Sequence, residues 1–348
     1  MKLVLSQEQQ ELRAAVRAFL GAASPLPKVR DGYDPQVYTR LSGELGLPGL
    51  IIGEEYGGAG GGFADLAVAL EETGAALLPG PFLATTFATI ALTRVPDKEL
   101  LAGIAEGRIT ATLGQPPADG DVTAETGGES AAVTGTLAQV LSGMEADVLV
   151  VPARTPDGLV MVAVELAGEG VTRTPLAALD ITRGQARVEL AGARGRVLGP
   201  RPDGGIGDRL CVALAAEQLG VMRACLDAIV AYAKVRVTFG RYIGSYQGVK
   251  HKLADMHCKL EQAESIVRFA AWAADESPDE LPSAAALAQA YVGRACFEVA
   301  RDHLLLHGGI GYTWEHDAHL FYKRAKTDEV LLGPPRIHRN RLAELLEL

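Results

Sequence analysis

The chain has 348 residues, of which 48% are hydrophobic and 22% charged, with 43 acidic against 33 basic side chains for a formal net charge of -10. That length predicts two or three domains with a sizeable core and excludes both a disulfide-stapled miniature and a disordered chain. The acidic balance repels phosphate backbones and anionic lipid, so a small molecule or another protein is the expected partner, with no nucleic acid and no membrane.

Ser6, followed three residues later by Gln9, has the form of a capping box, and Leu12, Val16, Phe19 and Leu20 recur at helical spacing. The first element is therefore a helix, and the start of the chain lacks the basic and apolar regions of a signal peptide. Short amphipathic or Ala-rich runs broken by Gly and Pro then continue to Leu101, which predicts a helical domain over residues 1–107. From Ile109 the character changes. The runs 109–113, 146–151 and 159–164 are short and β-prone, separated by turn residues at intervals too short for parallel crossovers. A middle antiparallel β domain is expected over 108–203, ending in a Gly/Pro/Asp linker.

The helical period returns beyond Asp208. Leu210, Leu214, Val221, Cys225, Ala228 and Tyr232 form one stripe, and Val249, Leu253, Met256, Leu260, Ala263 and Ile266 another. A third helix is predicted over 283–306, closed by Gly308 and Gly309, and a short one over 337–348. Residues 204–348 thus read as a C-terminal four-helix bundle domain, making the chain α+β and multidomain. Cys211, Cys225, Cys258 and Cys296 lack any Cys-x-x-Cys spacing and are expected to be small buried hydrophobes in a reducing, cytoplasmic setting. No apolar run reaches the roughly 18 residues of a membrane span.

The glycines at 57–62 fit no dinucleotide-binding register and follow no strand, so they read as a turn. Glu315, His316, Asp317 and His319 are contiguous and have no second ligand cluster, so no metal site is expected. Glu217 sits on an apolar stripe, where a carboxylate must be paired or protonated. It is a candidate proton acceptor or, more simply, a structural partner for an arginine such as Arg223 or Arg236. The segment Arg236-Val-Thr-Phe-Gly-Arg-Tyr-Ile-Gly-Ser-Tyr-Gln247 puts a cation, a hydroxyl, an aromatic ring and an amide into the turn between two long helices. Forked guanidinium donors and a hydroxyl suit a diphosphate, and a ring and an amide suit a nucleoside.

These residues resemble the acyl-CoA dehydrogenase family, whose motif around this turn is matched by Arg236, Phe239, Gly240, Ile243, Gln247 and the Leu-Ala-Asp-Met of residues 253–256. The resemblance extends to Glu54-Glu-Tyr-Gly-Gly-Ala-Gly60, Glu71-Glu-Thr-Gly74, Asp180-Ile-Thr-Arg183 and His307-Gly-Gly-Ile-Gly-Tyr-Thr-Trp-Glu-His316, and so covers essentially the whole chain. It implies a flavoprotein fold of helical, β and helical domains that desaturates an acyl-CoA thioester. In that chemistry a carboxylate removes the α proton and FAD takes the β hydride. It also implies a dimer of dimers and an electron-transfer flavoprotein as acceptor. Arg236, Thr238, Phe239, Gln247, Gly308 and Gly309 are the implied cofactor-binding residues, directed at FAD shared with a neighbouring subunit.

The chain departs from the family where the base would stand. Leu332-Gly333-Pro334-Pro335 replaces the usual Glu-Gly-Thr segment, and Leu210 occupies a second known location of the base. The usual flavin-facing Thr-Glu-Pro-Gly-Ala-Gly-Ser-Asp reads Gly114-Gln-Pro-Pro-Ala-Asp-Gly-Asp121, the usual Trp-Ile-Thr reads Gln139-Val-Leu141, and Leu305 replaces a common Gln. This pattern resembles the short, degenerate subunit of actinobacterial heterotetrameric acyl-CoA dehydrogenases, which implies a non-catalytic chain that completes the FAD site of a base-bearing homologue acting on bulky acyl groups such as steroid side chains. Two alternatives stay open. One is a complete homotetrameric enzyme with a non-standard base, for which Glu217 and Glu329 are candidates. The other is a non-redox thioester-binding or scaffold protein.

Overall fold

The computed structural model describes residues 3–115, 121–202 and 204–348. The chain forms two compact units, one of Met1–Asp31, Phe63–Leu78 and Gly207–Leu348, the other of Gly32–Gly62 and Pro79–Ile206.

The first unit is helical. Helix α1 (Gln7–Ala23) opens on the expected capping box, with the Ser6 hydroxyl accepting from the Gln9 amide and the Gln9 side chain accepting from the Ser6 amide. Helix α2 (Pro35–Leu45) belongs to the second unit, and the chain returns to the first with α3 (Phe63–Ala75). The Asp275 carboxylate caps α3 by accepting from the Phe63 and Ala64 amides at 2.7 and 3.0 Å. Two 30-residue helices, α6 (Ile206–Val235) and α7 (Gln247–Glu276), and a 27-residue helix α8 (Leu281–His307) make the body of the unit. These three fall where the apolar stripes place them. Between the third predicted helix and the last lies a further helix, α9 (Ala318–Leu331), followed by α10 (Pro335–Leu345). The periodicity conceals α9 because Arg324, Asp328 and Glu329 lie on its buried side among Leu320, Phe321 and Ala325.

Two glycines set how closely α3 and α6 approach. A Cβ at Gly220 would stand 1.8 Å from the Glu71 carbonyl oxygen, and one at Gly74 would stand 2.1 Å from that of Glu217. Each helix therefore seats a glycine on the other's backbone. The same crossing buries Glu71, whose carboxylate meets Arg268, Arg13 at 2.7 Å and Arg223 at 3.9 Å. Burial pushes Glu71 above the usual carboxylate range against the pull of these guanidiniums. The adjoining Glu264 loses solvation too, but its hydrogen bond to Arg223 and the charges of Arg223 and Arg268 hold it below that range. Among the cysteines, Cys211, Cys225 and Cys296 are buried as expected, whereas Cys258 is exposed. It falls on α7 beside the inward row of Met256, Leu260, Ala263 and Val267.

The second unit packs α2, α4 (Phe82–Leu92) and α5 (Lys98–Ala105) with seven strands: β1 (Ala111–Leu113), β2 (Val122–Gly127), β3 (Ser130–Leu141), β4 (Val148–Thr155), β5 (Gly158–Glu165), β6 (Val171–Pro175) and β7 (Gln185–Pro200). Every residue of α4 is buried, and its Thr85 hydroxyl donates to the carbonyl of Ala111 on β1 at 3.1 Å. The strand path closes on itself through β4–β5, β5–β7, β7–β3, β3–β2 and β2–β4, with Val133, Leu137, Leu149, Val162 and Val188 inside. Most pairings are antiparallel, as the short turn intervals predict, but β1–β4 and β2–β4 are parallel. The β2–β3 hairpin supplies the long connection that a parallel β1–β4 pair requires. The glycine turn at 57–62 is tied back by backbone bonds such as Gly60 to Ile52 at 2.8 Å and Gly61 to Leu50 at 2.8 Å. Among the described residues no helix is long and apolar enough to cross a membrane.

Candidate cofactor-binding groove

Helix α6 ends at Val235, and the next residues form a miniature hairpin of β8 (Val237–Thr238) and β9 (Arg241–Tyr242). Its two turn residues, Phe239 and Gly240, have φ of 52° and 78°. Positive φ at both positions suits a tight hairpin, and glycine adopts it freely while phenylalanine is strained there. The strained Phe239 is also 93% exposed, so the fold holds a large apolar ring in solvent. The hairpin is braced from behind. The Tyr246 hydroxyl donates to the Thr238 carbonyl at 2.8 Å, the Ile243 amide donates to the Arg236 carbonyl at 2.9 Å, and the Arg241 guanidinium lies 3.8 Å over the Tyr246 ring.

The opposite wall comes from the end of α8. His307 closes the helix, Gly308 turns the chain with φ of 68°, and a short 3-10 turn runs over Gly308–Tyr312. A Cβ at Gly308 or Gly309 would meet nothing within 4 Å, so the backbone there is open to close approach. Between the walls lies a groove of about 690 Å³ lined by Arg236, Thr238, Phe239, Gly308, Gly309 and residues that the sequence alone did not single out as a site, among them Tyr232, Tyr246 and His307. Five of the six expected cofactor residues thus meet at one place. Gln247, the first residue of α7, is exposed and does not line the groove. Leu305 and Ile243 add apolar surface to it.

A guanidinium, a hydroxyl, a solvent-held ring and a turn with two bare glycines suit the phosphate and nucleoside end of a dinucleotide. The contact of His307 with Tyr232, ring centroids 4.5 Å apart, joins residues from two different helices and is not visible in the periodicity of either.

The proton-acceptor candidates sit elsewhere and are occupied. Glu217 is buried on α6 with the fully buried Arg324 guanidinium of α9 at 3.5 Å. Its arginine partner is neither Arg223, which pairs with Glu264 at 2.9 Å, nor Arg236, which lines the groove. Glu329 pairs with Lys326 at 2.6 Å and Arg294 at 3.5 Å. Leu332 caps the end of α9, its carbonyl 3.0 Å from Nε2 of the buried His338, and Leu210 is buried in α6.

In the β unit, Gly114 packs inward, where a Cβ would meet Leu137, Val151 and Leu149, while residues 116–120 of the altered flavin-facing segment lie outside the described residues. At the second altered segment, the Gln139 amide donates to Gln185 at 2.7 Å and Val140 points into the sheet's core. Of the residues weighed as metal ligands, Asp317 pairs with Arg30 at 2.5 Å and His316 accepts from the Ala318 amide at 3.1 Å. Among the described residues no group of three His, Cys, Asp or Glu side chains is placed to hold a metal ion.

Comparison with known proteins bears on the same residues. The model of the acyl-CoA dehydrogenase N-terminal domain matches residues 6–100, and that of the acyl-CoA dehydrogenase C-terminal domain matches 208–346. Acyl-CoA dehydrogenase IpdE2 of Mycolicibacterium smegmatis is 36% identical over 344 residues, covering 97% of this chain and 98% of its own. Among solved structures, a variant of the Tcur3481-Tcur3483 steroid ACAD is 28% identical with a TM-score of 0.89, covering 98% of both chains. The ChsE4-ChsE5 complex from Mycobacterium tuberculosis is 27% identical with a TM-score of 0.89, covering 100% of this chain and 99% of that one.

Proposed function

Because the chain belongs to the acyl-CoA dehydrogenase family, we propose that it is the base-lacking subunit of such an enzyme, completing the FAD site of a homologous, base-bearing chain in a dimer of dimers. One contrast carries the reading. The groove that can serve a neighbour's dinucleotide is furnished with Arg236, Thr238, Phe239, Gly308 and Gly309, while both candidate proton acceptors, Glu217 and Glu329, are engaged in ion pairs.

In this reading the Arg236 guanidinium and Thr238 hydroxyl bind the FAD diphosphate, Phe239 covers the adenosine, and the open backbone at Gly308 and Gly309 lets the cofactor approach. Gln247 flanks them from the start of α7. FAD, when bound, accepts the hydride. The residues of this chain bind and orient it, and the partner chain supplies the carboxylate. The steroid dehydrogenase and the two-component complex among the similar structures support a heteromeric assembly and a bulky acyl-CoA, such as the thioester of a steroid side chain, as substrate. An electron-transfer flavoprotein is the proposed acceptor.

The experiment is purification of the chain alone and together with candidate partners. Alone it is expected to be colourless and inactive on acyl-CoA. A yellow homotetramer that desaturates a thioester would instead establish a complete enzyme, and thioester affinity without flavin in either preparation would establish a non-redox binding protein.

A further inference from the structure

Beneath the groove three histidine rings and a tyrosine stand in file. His303 meets His307 edge-on at 4.6 Å, His307 lies 4.3 Å from His316, and Tyr232 of α6 covers His307 at 4.5 Å. The hydrogen bonds fix where their protons are. Nδ1 of His307 is 2.8 Å from the His303 carbonyl, which only accepts, so that nitrogen carries the hydrogen. Nδ1 of His316 accepts the Ala318 amide at the start of α9, so that nitrogen carries a lone pair. His303 is 1% exposed, and neither of its ring nitrogens has a hydrogen-bond partner among the described residues.

The surroundings do not compensate a positive charge. Tyr232 faces the file from α6, Phe321 from α9 at 5.8 Å, and Arg236 shares the groove with His307. Asp317 is engaged by Arg30, and Asp302, next to His303, is engaged by Lys252 at 3.0 Å and Arg301 at 3.2 Å. Glu315 is exposed to solvent, His319 packs on Trp314, and Lys323 stands 4.6 Å over the same indole.

We propose that this file is an acid-operated latch: its neutral rings hold the Gly308–Tyr312 turn, the inner wall of the groove, against α6 and α8, and protonation in mild acid releases the turn. A charge on His303 or His307 would sit among aromatic rings away from water, and charges on both together would repel across 4.6 Å. Burial pushes His303 down to about 3 and His307 below the usual imidazole range. A histidine whose folded value is depressed contributes stability above its unfolded value near 6.5, and that stability is lost as pH falls below it. His303, neutral when latched and charged when released, therefore weakens the latch about tenfold per pH unit below about 6.5, and His307 acts in the same direction. The latch operates whatever fills the groove.

The test is amide hydrogen exchange on the full chain, as purified alone or with its partner, between pH 7.5 and 5.0 after correction for intrinsic rates. Protection of residues 305–318 is expected to fall at least about tenfold per pH unit below about 6.5, while the middle of α7 stays constant. His307→Phe and His303→Phe each keep a ring of similar shape without titrating. Both are expected to flatten the slope. Protection of 305–318 that stays level over this range, or a wild-type slope persisting in both variants, overturns the proposal. Should the variants not fold, the proton resonances of His307 in the wild-type chain decide. Its protonation in step with the loss of protection supports the latch, and its protonation without that loss refutes it.

Discussion

Replacing Glu217 by glutamine separates a structural carboxylate from a catalytic one. The side chain is almost fully buried, and the Arg324 guanidinium 3.5 Å away is among the largest fully buried groups in the chain. At that distance and an effective dielectric near 20, two unit charges attract by about 5 kcal/mol. Removing one member of such a buried pair typically costs about 3–5 kcal/mol, because the other charge stays desolvated. Glu217→Gln is therefore expected to lower the melting temperature by roughly 6–10 °C, at about 2 °C per kcal/mol for a chain of this size. Arg324→Met removes the other member of the pair and is expected to cost a similar amount. Scanning calorimetry and circular dichroism melts measure both, and turnover of the complex with a base-bearing partner is expected to persist wherever the protein stays folded. A Glu217→Gln protein that melts within about 1 °C of wild type yet abolishes turnover would refute the structural assignment.

Gly220→Ala is expected to destabilise the helical unit by about 1–3 kcal/mol or more, since its Cβ would fall 1.8 Å from the Glu71 carbonyl oxygen. Gly21→Ala in α1, where a Cβ meets nothing within 4 Å, is expected to stabilise by about 0.5–1 kcal/mol, and urea denaturation compares the two. Arg236→Ala is expected to weaken flavin retention in the assembled complex roughly 10- to 100-fold, the loss of a charge-assisted hydrogen bond of about 1.5–3 kcal/mol, measured by flavin fluorescence released on dilution.

Much of this was legible in the chain because apolar period and turn chemistry survive where packing is simple. The stripes on α6 and α7 run for many turns, and the capping box of α1 is local. Helix α9 was hidden because its inward face carries Arg324 and Asp328, charges that only a tertiary partner makes tolerable. Strands β2 and β3 were obscured because Ala124, Ala131 and small polar residues stand where larger β-branched residues would make the alternation plain. At the groove, Arg236, Thr238 and Phe239 share one turn and could be read together. The aromatic floor could not, because Tyr232 and His307 meet only when the end of α8 returns to α6. The arginine partner of Glu217 was likewise beyond reach, since Arg324 comes from the helix that the periodicity missed.

The most direct measurement is the count of FAD per polypeptide in the complex isolated with a base-bearing homologue. Cofactor sites shared between unlike chains predict one FAD for every two chains, and none in this chain purified alone. One FAD for every chain, with turnover in the absence of any second polypeptide, would contradict the account.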